Sequence, residues 1–184
     1  MKPALIIIDI QNDYFPGGKM ELEGSPEASL EAAKLLERFR ARGLPLVHIQ
    51  HVSNRPGASF FVPGTEGVNI HANVAPRDGE TVIQKNFPNS FRSTGLLEHL
   101  RGLEVDNLII AGMMTHMCVD ATTRAAFDLG FSCSLAHDAC ATRALAFGEQ
   151  RVAAAQVHAA FIAALAGLYA KTQSAAAIAA EIAA

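Results

Sequence analysis

In VDNLIIAGMMTHMCVDATTRAAF, Val105 to Phe127, an apolar run ends at a glycine and a helical pattern begins a few residues later. Val105 to Ala111 is rich in Leu and Ile without polar alternation after Asn107, as in a parallel strand buried on both faces. His116 to Leu129 reads as a helix closed by Gly130. Cys118 falls at the junction, where it is either a small core residue or a nucleophile held at a helix N-terminus.

The same grammar repeats on both sides of this segment. Ala4 to Ile10, Leu46 to His51, Thr81 to Lys85 and Phe131 to His137 read as further strands, with Tyr169 to Thr172 as a short edge strand. Ser25 to Arg42, Ser93 to Arg101 and Gly148 to Leu165 read as helices, and an Ala-rich helix ends the chain. Ser25 is suited to cap the first of these, with Pro26 at its first position and Gly43 beyond its end. Val52 to Gly79, rich in Gly, Pro, Asn and Ser, is too long for an ordinary connection and is expected to be functional or disordered. Alternating β and α elements imply an α/β fold of three layers, a Rossmann-like parallel sheet flanked by helices. At 184 residues, the whole of 1–184 is expected to form one domain.

Composition narrows the function. A net charge of -3 without long runs of either sign leaves no footprint for nucleic acid, so a small-molecule partner is expected. No apolar stretch reaches membrane-spanning length, and the start MKPALIIIDIQ does not resemble a signal peptide. Three cysteines, an odd number without framework spacing, point to free thiols in a reducing, cytoplasmic compartment.

Ligands of such sheets sit beyond the carboxyl ends of the strands, where Asp9, Lys85 and Cys118 all fall. Each has an ordinary reading, as a turn residue, a solvated lysine and a core thiol, but three different strand ends bring them to one place. A helix N-terminus and a nearby cation are expected to lower the Cys118 pKa. Asp9 can serve as general base, Lys85 can orient that carboxylate, and backbone N–H groups can face a developing oxyanion.

LIIIDIQNDYF, QKNFPNSF and GMMTHMCVDATTRAA together resemble the three signature blocks of the isochorismatase-like cysteine hydrolases, in family order. That superfamily includes nicotinamidases, N-carbamoylsarcosine amidohydrolase and streptothricin hydrolases. The resemblance implies a six-stranded sheet and an Asp9, Lys85, Cys118 triad. It also implies a non-proline cis peptide at Met113-Met114, an oxyanion hole from the N–H groups of Met114 and Cys118, and a homodimer or homotetramer. GMMTHMCVD and HIQHVS are most similar to the streptothricin hydrolase and general amidase branch.

Two departures refine this. Isochorismatases that cleave a vinyl ether typically lack the cysteine that this chain has. Nicotinamidases carry an Asp-x-His metal pair, whereas VHIQHVSNRPG has no such Asp and sets His48 and His51 on opposite faces of a strand. With His71 read as a loop histidine, no metal and no cofactor are expected. Gln11, Asn12, Asn86 and His116 are candidate polar contacts to substrate, and Phe15, Phe60, Phe61, Phe87 and Phe91 candidate walls. Asp120 and Thr115 are assigned to capping or loop support, and Cys133 and Cys140 to structure. The expected activity is metal-independent hydrolysis of a small amide, ureide or lactam through a Cys118 thioester. Vinyl-ether hydrolysis, or a binding or redox-sensing module, stands as the alternative.

Overall fold

The computed structural model describes residues 1–183. Its main sheet contains six strands in the order β3-β2-β1-β4-β5-β8, every pair parallel. They are β1 (Pro3–Ile8), β2 (Leu46–His51), β3 (Thr81–Lys85), β4 (Asn107–Met113), β5 (Ser132–Ala141) and β8 (Lys171–Gln173). The helices are α1 (Ser25–Ala41), α2 (Leu96–Gly102), α3 (Asp120–Asp128), α4 (Ala154–Ala166) and α5 (Ala175–Ala183). Along β1, Leu5 and Ile7 join the core under α1 and α5, while Ala4, Ile6 and Ile8 join the core under α2, α3 and α4. Burial on both faces is the reason β1 reads as an unbroken apolar run.

The chain builds outward from β1 to β2 and β3, then returns to place β4 on the other side of β1. Such a reversal leaves a crevice beyond the carboxyl ends of the two strands that flank it. Asp9 ends β1 there with φ 50, and Gly112 near the end of β4 has φ 140. A Cβ on Gly112 would meet the Ile8 carbonyl oxygen at 2.1 Å, so only glycine lets the two strands approach this closely. The β4–β5 register slips between Ile110 and Gly112, and the Met113-Met114 peptide is cis.

Several element boundaries differ from those expected. Gly24, in the left-handed region, caps α1, and the Ser25 hydroxyl instead donates to the Leu22 carbonyl at 3.3 Å. Ser93 has φ 57, which keeps it out of α2. Part of the expected Gly148 to Leu165 helix is a hairpin of β6 (Leu145–Phe147) and β7 (Gln150–Val152), because Gly148 turns the chain at φ 59. The expected helix from His116 begins as a π-helical turn, Thr115–Val119, before α3. The Val52 to Gly79 segment is ordered by two short 3-10 turns, Glu66–Val68 and Ala72–Val74. Among the described residues no helix is long and apolar enough to cross a membrane.

Candidate active site

Three strand ends deliver the expected trio to one buried point. The Lys85 ammonium donates to Asp9 Oδ2 at 2.6 Å and to Cys118 Sγ at 3.3 Å. Its remaining hydrogen reaches His51 Nδ1 at 3.0 Å. An ammonium can only donate, so Nδ1 is the acceptor and the ring proton sits on Nε2. Asp9, Lys85 and Cys118 are 0%, 2% and 3% exposed. Asp9 Oδ1 is buried without a hydrogen-bond partner.

Burial alone would pull the Lys85 ammonium pKa down, but Asp9 and Cys118 outweigh it, so the group is raised and charged. The Cys118 thiol is pushed up by burial and then by the Asp9 carboxylate, against the lowering effect of Lys85. This corrects the expectation of a lowered thiol pKa, since desolvation at this depth exceeds the help of one cation. The resting sulfur is therefore a thiol. Asp9, His51 and Cys118 offer ligand atoms within 4.8 Å of one another, a spacing that suits a metal ion. The Lys85 ammonium already bonds to all three residues, and it supplies the positive charge that this donor set calls for.

His51 was missed as a site residue because its partner lies on β3, where it faces Lys85 across the β2–β3 register. His48, on the opposite face of β2, bonds Glu80 at 3.0 Å. Burial and then the Lys85 charge push the His51 pKa down from 6.5 to about 4. Between these values the unfolded chain binds the extra proton, so stability rises with pH through that window. Stability is accordingly expected to fall as pH drops from about 6.5 to about 4, by up to about 3 kcal/mol, and His51→Gln is expected to flatten the slope. Urea denaturation at either end of the window measures it; equal slopes in both proteins would remove the assignment.

The other expected contacts are spread more widely. Gln11 is fully buried and its amide is spent on the backbone, donating to His51 O at 2.9 Å and Val68 O at 2.7 Å and accepting from His51 N at 2.7 Å. Asn12 donates to Glu66 O and Asn86 to Val52 O, so these amides also anchor the long loop. Phe15 is stacked on His71 at 3.5 Å, and Phe91 lies against Phe131 in the opposite core cluster. Phe60 and Phe61 pack on Tyr14, with Phe61 5.9 Å from the His51 ring, while Phe87 lies under the Arg92 guanidinium at 3.8 Å. His116 bonds Thr142 Oγ1 and sits edge-on to Phe161. Thr115 Oγ1 meets the Ala141 carbonyl and His158, and Asp120 pairs with Arg124. Cys133 and Cys140 are buried with backbone carbonyls as partners. Tyr14, also missed, is 1% exposed, and burial, together with the nearby Asp9 carboxylate, raises its phenol pKa. Its place in LIIIDIQNDYF was the available signal.

The fold has counterparts among known proteins. A crystal structure from Oleispira antarctica, described as an isochorismatase hydrolase, superposes with a TM-score of 0.93 at 49% identity, covering 97% of this chain and 96% of that one. YddQ of Bacillus subtilis, an uncharacterized isochorismatase family protein, is 49% identical over 95% of this chain and 97% of its own. Streptothricin hydrolase from Streptomyces noursei is 37% identical over 76% of this chain and 49% of its own. Maleamate amidohydrolase from Pseudomonas putida is 31% identical over 71% and 68% respectively. Residues 3–176 match the family described as the isochorismatase domain, and with the six-stranded sheet and these relatives in agreement, the chain belongs to the isochorismatase family of hydrolases.

Proposed function

We propose that this chain is a cysteine amidohydrolase that cleaves a small amide, ureide or lactam C–N bond through a Cys118 thioester. The observation that carries this reading is the division of labour on one buried carboxylate. Asp9 Oδ2 is pinned by Lys85, which also bonds Cys118 Sγ, while Oδ1 is buried without a partner and is free to take a proton.

Cys118 Sγ attacks the carbonyl carbon as its proton passes to Asp9, and the carbonyl electrons move onto oxygen. The N–H groups of Met114 and Cys118 hold that oxyanion. Collapse expels the amine, which takes the proton back from Asp9 and leaves a thioester. Water then gives a proton to Asp9 and adds to the thioester carbon; collapse breaks the C–S bond, releases the acid, and returns the proton from Asp9 to Sγ, restoring both the thiol and the carboxylate. The family relationship supports the hydrolytic class, and a relative named maleamate amidohydrolase supports the amide bond.

The purified chain is expected to release ammonia or an amine from members of a panel of primary amides, ureides and lactams. An acid quench during turnover is expected to leave the acyl fragment on the Cys118 peptide by mass spectrometry. Turnover with no adduct on that peptide under any quench would sink the thioester route.

A further inference from the structure

We propose that His158 is a positioning residue for the reaction: from α4 it holds the Thr115 hydroxyl and so fixes the turn that presents the Met114 and Cys118 N–H groups to the oxyanion. The catalytic half of this statement rests on the amidohydrolase reading; the anchoring of the turn does not.

Thr115–Val119 is one π-helical turn without a side-chain cap. The Met114 carbonyl closes its start, accepting from Met117 N at 3.0 Å and Val119 N at 3.2 Å. A single turn fixes several backbone dihedrals for few bonds, so anchors outside it decide how firmly it is held. Its first two side chains reach such anchors. His116 Nδ1 meets Thr142 Oγ1 just past β5, and the Thr142 carbonyl accepts from Glu23 N at 3.0 Å. Thr115, 0% exposed, places Oγ1 3.0 Å from His158 Nδ1 on α4 and 3.3 Å from the Ala141 carbonyl on β5. With the ring proton on Nδ1, the imidazole donates to the hydroxyl and the hydroxyl donates on to Ala141, so both contacts are satisfied at once. One directed chain thus joins α4, the turn and β5, and it ends at the register partner of Met113.

The composition of α4 sets this contact apart. Its sequence, AAQVHAAFIAALA, has no Asp, Glu, Lys or Arg, and its one other polar side chain, Gln156, is exposed. His158 is half-buried and turned toward the turn. Three residues on, Phe161 lies on the same helix face and meets the His116 ring at 6.0 Å. Neighbouring residues of the turn are therefore met by an i, i+3 pair of the helix. Burial and then the nearby His137 hold the His158 pKa below its usual value, so the ring is neutral at neutral pH. What it gives the turn is orientation and not charge.

Steady-state kinetics on the substrate found by screening, read beside hydrogen exchange, provide the test. Thr115→Val or His158→Leu is expected to lower kcat about tenfold or more with KM within about twofold, because a loosened oxyanion site is felt in the transition state and not in ground-state binding. Thr115→Ser and His158→Asn, which keep a hydroxyl and an N–H donor near the same places, are expected to recover most of the rate. The double variant Thr115→Val with His158→Leu should be little worse than either single one, since both remove the same bond. Amide hydrogen exchange in peptides spanning Met114 to Val119, read by mass spectrometry, is expected to quicken in the Val and Leu variants and not in the Ser and Asn variants. Exchange in His158→Leu equal to that of the parent overturns the anchor, and so does a Thr115→Ser protein no better than Thr115→Val. Should Thr115→Val fail to fold, His158→Leu against His158→Asn, both on a half-buried helix face, decides the matter. Quickened exchange with kcat within about twofold of the parent overturns the catalytic half. Quickened exchange in a chain whose parent releases ammonia from no amide keeps the anchor and removes the amidohydrolase reading.

Discussion

Replacing Cys118 with Ala is expected to lower amide turnover by about 10⁴-fold or more, to the level left by binding and oxyanion contacts alone. Serine should fare little better. Its hydroxyl is a much weaker acid than a thiol, and the pocket already opposes ionisation of the atom at this position, since burial and Asp9 raise even the thiol. Asp9→Asn is expected to produce a comparable loss by removing the proton acceptor. Steady-state ammonia release on the substrate found by screening measures all three. The pattern separates the candidate chemistries. Acid-catalysed cleavage of a vinyl ether would release no ammonia, and that activity, followed by its carbonyl product, would survive without the thiol and vanish in Asp9→Asn. A binding or redox-sensing module would show no turnover in any of the proteins.

Lys85→Met is expected to destabilise the fold by about 3–5 kcal/mol, the usual consequence of stripping one partner from a buried ion pair. Asp9 would keep its place at 0% exposure with neither oxygen satisfied, because Oδ1 has no partner even now. In a chain of this size that corresponds to a drop in Tm of roughly 10 °C. The double variant Lys85→Met with Asp9→Asn should recover a large part of that loss while remaining inactive, since no charge is then left unpaired. Thermal and urea unfolding measure both. A Lys85→Met protein within about 1 kcal/mol of the parent would mean that the pair is solvated and the site is not the dry one described.

The sheet was legible in the chain because its strands are buried on both faces and therefore stand out as apolar runs, as in LIIIDI and NLIIAG. Asp9, Lys85 and Cys118 were legible because each occupies a strand end or the turn just beyond it. Less legible were features set by distant partners. His51 acquires its role from Lys85 on the neighbouring strand. Gln11 and Asn12 follow Asp9 so closely that they suggested substrate contacts, yet their amides hold the Val52 to Gly79 loop. The β6–β7 hairpin was hidden because the residues around it have good helix propensity, and Gly148 overrides that preference through its positive φ. The direction of the thiol pKa depends on depth of burial, which local sequence does not record.

The deep burial of Cys118 also governs how the protein ages. Peroxide attacks thiolates, and a protonated sulfur that is 3% exposed is a poor target for it. Idle enzyme should therefore outlast one whose nucleophile is ionised in advance, resisting the irreversible sulfinic and sulfonic end points. The same trait makes this cysteine a slow peroxide detector, leaving hydrolysis as the use to which its surroundings are better suited.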